Sequence, residues 1–137
     1  MANIKIYKKG VRTKLSDNFN SIEWDCRCNR PECQWTHIDL DHVKLLQEKR
    51  TKWRRPIEIT CGYRCLEHNK VVGGVSKSQH LEGTATDIKV SGLTPEEVAN
   101  DCSNFTGVGK YDTFVHLDSR EAEEGRKFRW DFSKKRS

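Results

Sequence analysis

The 137-residue chain reads as an α+β fold, a small, mainly antiparallel sheet carrying two or more packed helices in a single domain. Three observations lead there. Two stretches carry helix patterning with clear ends, several short β-branched runs are set off by turn residues, and the length suits one core rather than two. No internal repeat or low-complexity segment interrupts this plan.

The opening forty residues read as loop-rich, with Phe19, Ile22 and Trp24 as packing anchors. From Asp39 to Lys52 the pattern turns helical, with Val43, Leu45 and Leu46 forming an apolar stripe among charges. Pro56 introduces a β-rich run, Ile57–Cys61, that ends at Gly62. Cys65 to Val72 suits one or two helical turns closed by Gly73 and Gly74. Thr84–Val90 alternates small, polar and β-branched residues as a strand does. LTPEEVANDC is a second helix, with Thr94 as N-cap, Pro95 at the first helical position and Glu97 completing a capping box. Gly107–Tyr111 and Phe114–Asp118 are strands joined by a short turn, and Lys127–Phe132 adds an edge strand. The domain spans 1–137, with its core over about 15–130 and a basic tail at 133–137.

Apolar residues make up 34% of the chain and charged residues 33%, so the core is modest and a metal or disulfides would help it. The net charge of +5 suits an anionic partner such as a cell wall or nucleic acid, although solvated faces and ends account for much of it. The basic residues concentrate in Lys8–Lys14, Lys49–Arg55 and Lys134–Arg136. No apolar run is long enough for a signal peptide or a membrane span, which predicts a soluble, cytoplasmically made protein without membrane insertion. Six cysteines in such a product are thiols or metal ligands before they are a disulfide framework. CRCNRPEC (26–33) is tight, but its C-x-C-x4-C spacing is not the paired C-x2-C of a zinc ribbon. A structural metal, buried thiols and a disulfide formed after release all stay open there.

The chemistry concentrates in SQHLEGTATD (78–87) and FVHLD (114–118). Catalytic zinc is commonly held by three ligands drawn from His and Asp or Glu, with a fourth position left to water. His80 and Asp87 could supply two, and His116, between Val115 and Leu117 on a later strand, the third. Asp118 falls on the same strand face as His116, about 6–7 Å along, where a carboxylate could orient a ligand histidine or handle a proton. Each residue also has a structural reading: a satisfied strand histidine, or a strand-edge charge.

The wider pattern is more specific. It comprises Gly62-Tyr63-Arg64, then Asn69 with Gly73 and Gly74, then Ser78, His80, Gly83, Ala85 and Asp87, and downstream GVGKYDTFVHLDSR. Residues 59–88 closely resemble the core signature of the zinc D-alanyl-D-alanine carboxypeptidase family, which is related to phage L-alanyl-D-glutamate endolysins and the hedgehog signalling domain. The likeness extends from about Leu15 to Trp130.

This resemblance implies His80, Asp87 and His116 as ligands of a Zn2+ cofactor, Arg64 as a catalytic and substrate-gripping guanidinium, and Ser78 as a substrate hydrogen-bonding residue. It implies small residues, Gly83 and Ala85, where the backbone passes the metal. The family's acidic residue three positions before the last histidine is Thr113 here, which cannot act as a base. Asp118 is then the first choice of general base and Asp112 the second. Glu67, His68 and Glu82 match no ligand position and read as surface.

The implied activity is hydrolysis of a peptidoglycan stem peptide next to a D-amino acid, by a carboxypeptidase or endopeptidase. The expected protein is monomeric, phage lytic or virion-associated, and reaches the bacterial cell wall by phage-assisted release. One rival is a non-catalytic zinc-containing structural or wall-binding virion component, kept in play by Thr113. The other, a nucleic-acid-binding protein built on CRCNRPEC and the basic segments, leaves both histidine motifs unexplained; no specific nucleic-acid partner is expected.

Overall fold

The computed structural model of the chain describes residues 2–133; the basic residues Lys134–Arg136 lie outside them. Its main sheet has five strands in the order β5 (Ile57–Cys61), β6 (Ala85–Val90), β8 (Val115–Asp118), β7 (Gly107–Lys110) and β9 (Phe128–Asp131). All neighbours are antiparallel except β7 and β9. Helix α1 (Leu40–Trp53), the short helices α2 (Leu66–Val71) and α3 (Gln79–Glu82), and α4 (Pro95–Asn100) complete the α+β fold. The sequence-predicted strands and helices stand where expected.

Local chemistry explains the ends of these elements. Asp39 caps α1 by accepting from the Asp41 N–H, and Arg54 closes it in the left-handed conformation with φ 54°. Thr94 and Glu97 form the reciprocal capping box of α4, with Pro95 at its start. Cys65 and Ser78 cap α2 and α3 with their side chains.

The opening segment departs from the loop-rich expectation. β1 (Ile4–Lys8) pairs antiparallel with β4 (Trp35–Asp39) over five residues, and β2 (Lys14–Ser16) with β3 (Phe19–Asn20). Four of the five β1 side chains are exposed, so the strand lacks the buried alternating face that sequence periodicity detects. Of the expected anchors, Phe19 and Trp24 are buried and meet edge to face at 5.8 Å between ring centroids, whereas Ile22 is only half-buried.

The core lies between α1, α4 and one face of the main sheet, with Val43, Leu46, Ile57, Ile59, Ile88, Val98, Phe105, Val115 and Leu117 buried together. Each such side chain contributes about 1.5–3 kcal/mol by leaving water. His42 of α1 belongs to this interior, with Nε2 2.8 Å from Thr86 Oγ1 and Nδ1 3.3 Å from Ser119 Oγ.

Burial lowers His42 from 6.5 to about 4. The native state thus refuses a proton that the unfolded chain accepts, so this stability is full above pH 6.5 and is lost as pH falls towards 4. The loss amounts to about 3 kcal/mol. In His42→Leu, denaturant melts between these pH values should show an acid slope flatter by that amount; an unchanged slope would show that His42 does not titrate this way.

Candidate metal centre

One row of residues crosses the main sheet. Strand pairing sets Cys61 opposite Asp87, Asp87 opposite His116, His116 opposite Gly109, and Gly109 opposite Trp130. The next row sets Ala85 opposite Asp118 and Asp118 opposite Gly107. His80 enters from above on α3, which ends at Gly83 (φ +79°), where any Cβ would run into the His37 backbone carbonyl.

Asp87 Oδ1 lies 3.2 Å from His80 Nε2 and 3.2 Å from His116 Nδ1. The far nitrogen of each ring is committed elsewhere. His80 Nδ1 donates to the Gly62 carbonyl at 2.7 Å, and His116 Nε2 donates to Asp118 Oδ2 at 2.8 Å. These outward bonds fix the tautomers, so both inner nitrogens of the neutral rings present lone pairs to a carboxylate that can only accept. Three acceptors converging in this way need a positive charge among them, protons or a metal cation. Around protons alone, Asp87 and Cys61 outweigh the downward push of burial and hold His80 at about 10, while His116 and His80 hold Asp87 down to about 2 against its own burial. Around zinc, nitrogen and oxygen ligands at 2.0–2.1 Å in a tetrahedron stand about 3.3 Å apart. The residues therefore fit zinc, and the outward bonds are those that orient ligand histidines.

Asp118 is fully buried. Besides His116 it holds Arg120 in a two-pronged ion pair, at 2.9 Å from Nε and 2.7 Å from an Nη. Against the upward effect of burial, Arg120 and His116 keep this carboxylate far below its ordinary range. Gly107 exists for it: a Cβ there would collide with the Asp118 carboxylate. Gly109 similarly leaves room for the Trp130 indole, whose ring lies 5.1 Å from His116 and whose Nε1–H donates to Tyr111 Oη at 3.1 Å.

The centre opens into a cavity of about 470 Å³. Arg64, Ser78, His80, Asp87 and His116 line it together with an aromatic wall of Tyr111, Phe114, Trp130 and Phe132. Arg64 is anchored by donating to Asn69 Oδ1 at 2.8 Å and Cys61 Sγ at 3.3 Å. Asn69 donates in turn to the Val75 carbonyl at 3.0 Å, and Gly74 lacks the Cβ that would strike the Asn69 amide. The Asn69–Gly74 turn thus exists to hold Arg64. Ser78 Oγ accepts from the His80 N–H at 3.2 Å. A larger hollow of about 770 Å³ lies along α1 and contains none of these residues.

Of the residues singled out in the sequence, His80, Asp87, His116, Asp118, Arg64 and Ser78 come together, while Asp112 stands on the exposed β7–β8 turn. Thr113 is exposed and borders a separate hollow, and Glu67 and Glu82 are exposed, with His68 partly so. Sequence reading missed Cys61 and Trp130. Cys61 Sγ, a His80 nitrogen and an Asp87 oxygen lie within 4.8 Å of one another. Yet the thiol faces His80 Nδ1 at 3.6 Å, the ring edge already turned to Gly62. Burial would raise this thiol, and the His80 and Arg64 contacts instead lower it.

The sequence model of the family described as Peptidase M15 matches residues 17–118, well over half of the chain. The chain belongs to the Peptidase M15 family. Its members are zinc-dependent metallopeptidases, which makes a peptide the class of substrate. No match is found among curated proteins. No described helix is long and apolar enough to cross a membrane.

The glycines of an M15 strand pair make a direct test. In Gly109→Ala the new methyl should push Trp130 off His116, lowering peptidase activity while zinc content stays at the wild-type level. Activity and metal analysis on one sample check this.

Proposed function

We propose that the chain is a zinc peptidase hydrolysing amide bonds of peptidoglycan stem peptides next to a D-amino acid, as a D,D-carboxypeptidase or endopeptidase. The observation that carries this reading is the convergence of His80, Asp87 and His116, with lone pairs turned inward, at the floor of a cavity that also holds an anchored arginine. The motif likeness to phage endolysins supports a lytic or virion-associated setting.

In this reading His80, Asp87 and His116 are the zinc ligands. Bound zinc would supply Lewis acidity, lowering the pKa of water and polarising the scissile carbonyl. Arg64 has five N–H donors, two of them engaged by Asn69 and Cys61, and the rest can grip a peptide carboxylate or carbonyl. Ser78 sits beside His80 for substrate hydrogen bonding, and the aromatic wall offers the substrate an apolar surface. Of the two roles open to Asp118, its enclosure by His116 and Arg120 supports orientation of His116. Proton relay then falls to Asp112, on the turn between the cavity-lining Tyr111 and Phe114.

A second reading, a zinc-bearing wall-binding component without turnover, has one observation behind it: among the described residues lining the cavity, Asp87 is the only carboxylate. Digestion of purified peptidoglycan followed by mass spectrometry separates the two. Release of D-alanine or cut stem peptides by wild type, absent in His80→Ala, supports the peptidase. Zinc-loaded wild type that leaves every fragment intact supports the binding component.

A further inference from the structure

Four cysteines that the proposed reaction does not use form a site of their own. Cys26, Cys28 and Cys33 lie between the 3₁₀ turn Ser21–Trp24 and β4, and Cys65 caps α2. Their sulfur atoms all lie within 4.8 Å of one another. Cys65 Sγ is 3.7 Å from that of Cys26 and 3.8 Å from that of Cys28. Four thiolates around zinc at 2.3 Å, in a tetrahedron, stand about 3.8 Å apart. A disulfide would need about 2 Å and would join sulfurs only in pairs, and all four cysteines here are free.

Hydrogen-bond donors point at the sulfurs from around the cluster. The Cys65 N–H donates to Cys26 Sγ at 3.3 Å, the His68 N–H to Cys65 Sγ at 3.4 Å, and Lys9 Nζ to Cys28 Sγ at 3.5 Å. Main-chain donors and one ammonium directed at a sulfur cluster are what a metal–thiolate site uses to spread its negative charge. Lys9 is further fixed by the Cys28 carbonyl at 3.1 Å.

We propose that Cys26, Cys28, Cys33 and Cys65 bind a structural zinc ion, separate from the His80–Asp87–His116 centre. On binding, the four thiols release their protons to solvent and four sulfur–zinc bonds form, with no change of oxidation state. All four positions are protein ligands, so this zinc has no open coordination site and is structural. It ties the 26–33 loop to the start of α2, directly after Tyr63 and Arg64. Tyr63 is held from the same side, by its N–H to the Trp24 carbonyl at 2.8 Å and by stacking on His37 at 4.8 Å. The cysteine zinc thus positions Arg64 at the cavity without touching substrate.

The test uses the full chain purified under reducing conditions without chelator. Wild type should carry about two zinc ions, and a His80→Ala/Asp87→Ala double variant about one. That remaining zinc should leave on titration with a mercurial thiol reagent, and cobalt put in its place should show an intense sulfur-to-cobalt charge-transfer band. Adding Cys33→Ser to the double variant should remove it. Wild type gives an independent readout: the four thiols should resist alkylation until zinc is released. A double variant without zinc, four thiols alkylated at once in the zinc-loaded wild type, an intact mass showing two disulfides, or iron at the site would each overturn the proposal. Because the double variant lacks the first centre, the result does not depend on whether the chain is a peptidase.

Discussion

Replacing His116 with alanine should abolish peptidase activity and lower the zinc content by one ion per chain relative to wild type. Losing the partner that orients a ligand histidine already costs 10–100-fold, so losing the ligand itself should cost roughly three orders of magnitude or more. The defect should be local. His116 lines the cavity from a strand whose neighbours, Val115 and Leu117, are buried in the core and unchanged by the substitution. Circular dichroism should therefore look native while zinc and turnover are lost together. A variant that keeps its zinc and its activity would show that His116 is not a ligand and that the centre lies elsewhere.

The second large effect separates the two carboxylates. Asp118→Asn should weaken zinc retention and activity together by about 10–100-fold, because His116 loses the acceptor that fixes its tautomer. It should also destabilise the fold, by less than the roughly 3–5 kcal/mol of a fully buried pair, since the Arg120 guanidinium that loses its counter-charge is partly exposed. Asp112→Ala should leave zinc and stability near wild type and lower the rate alone, by the 10²–10⁴-fold that proton relay contributes. Rates, zinc content and denaturant midpoints on the two variants decide the matter. The opposite pattern, with Asp118→Asn keeping its zinc and losing only rate, would make Asp118 the general base and Asp112 a surface residue.

Much of the centre was readable in the sequence because its parts are short-range. His80 and Asp87 flank one turn, His116 and Asp118 share one strand face, and the helix caps at Thr94 and Asp39 announce themselves locally. What escaped depends on contacts between distant segments. β1 is mostly exposed and polar, so only its pairing with β4 makes it a strand. Trp130 reaches His116 through the parallel pairing of β9 with β7, across a glycine whose purpose is invisible until the indole is beside it. The C-x-C-x4-C run looked incomplete because its fourth sulfur, Cys65, is delivered by a helix cap on the other side of α1 and β5. His42 sat unremarked beside the apolar stripe of α1, yet it is as buried as Leu46.

The position of β9 has a consequence for how this enzyme could change over time. The residues that converge on Asp87 come from β6, β8 and α3, whereas Trp130 is carried by β9, at the sheet's margin, and Phe132 directly follows that strand. The Asp87 row and this part of the cavity wall are thus carried on separable strands. Drift, or deliberate grafting, in β9 should retune which peptides are accepted while the row of residues around Asp87 is inherited intact. Relatives sharing this centre should then differ most in diet along this edge strand.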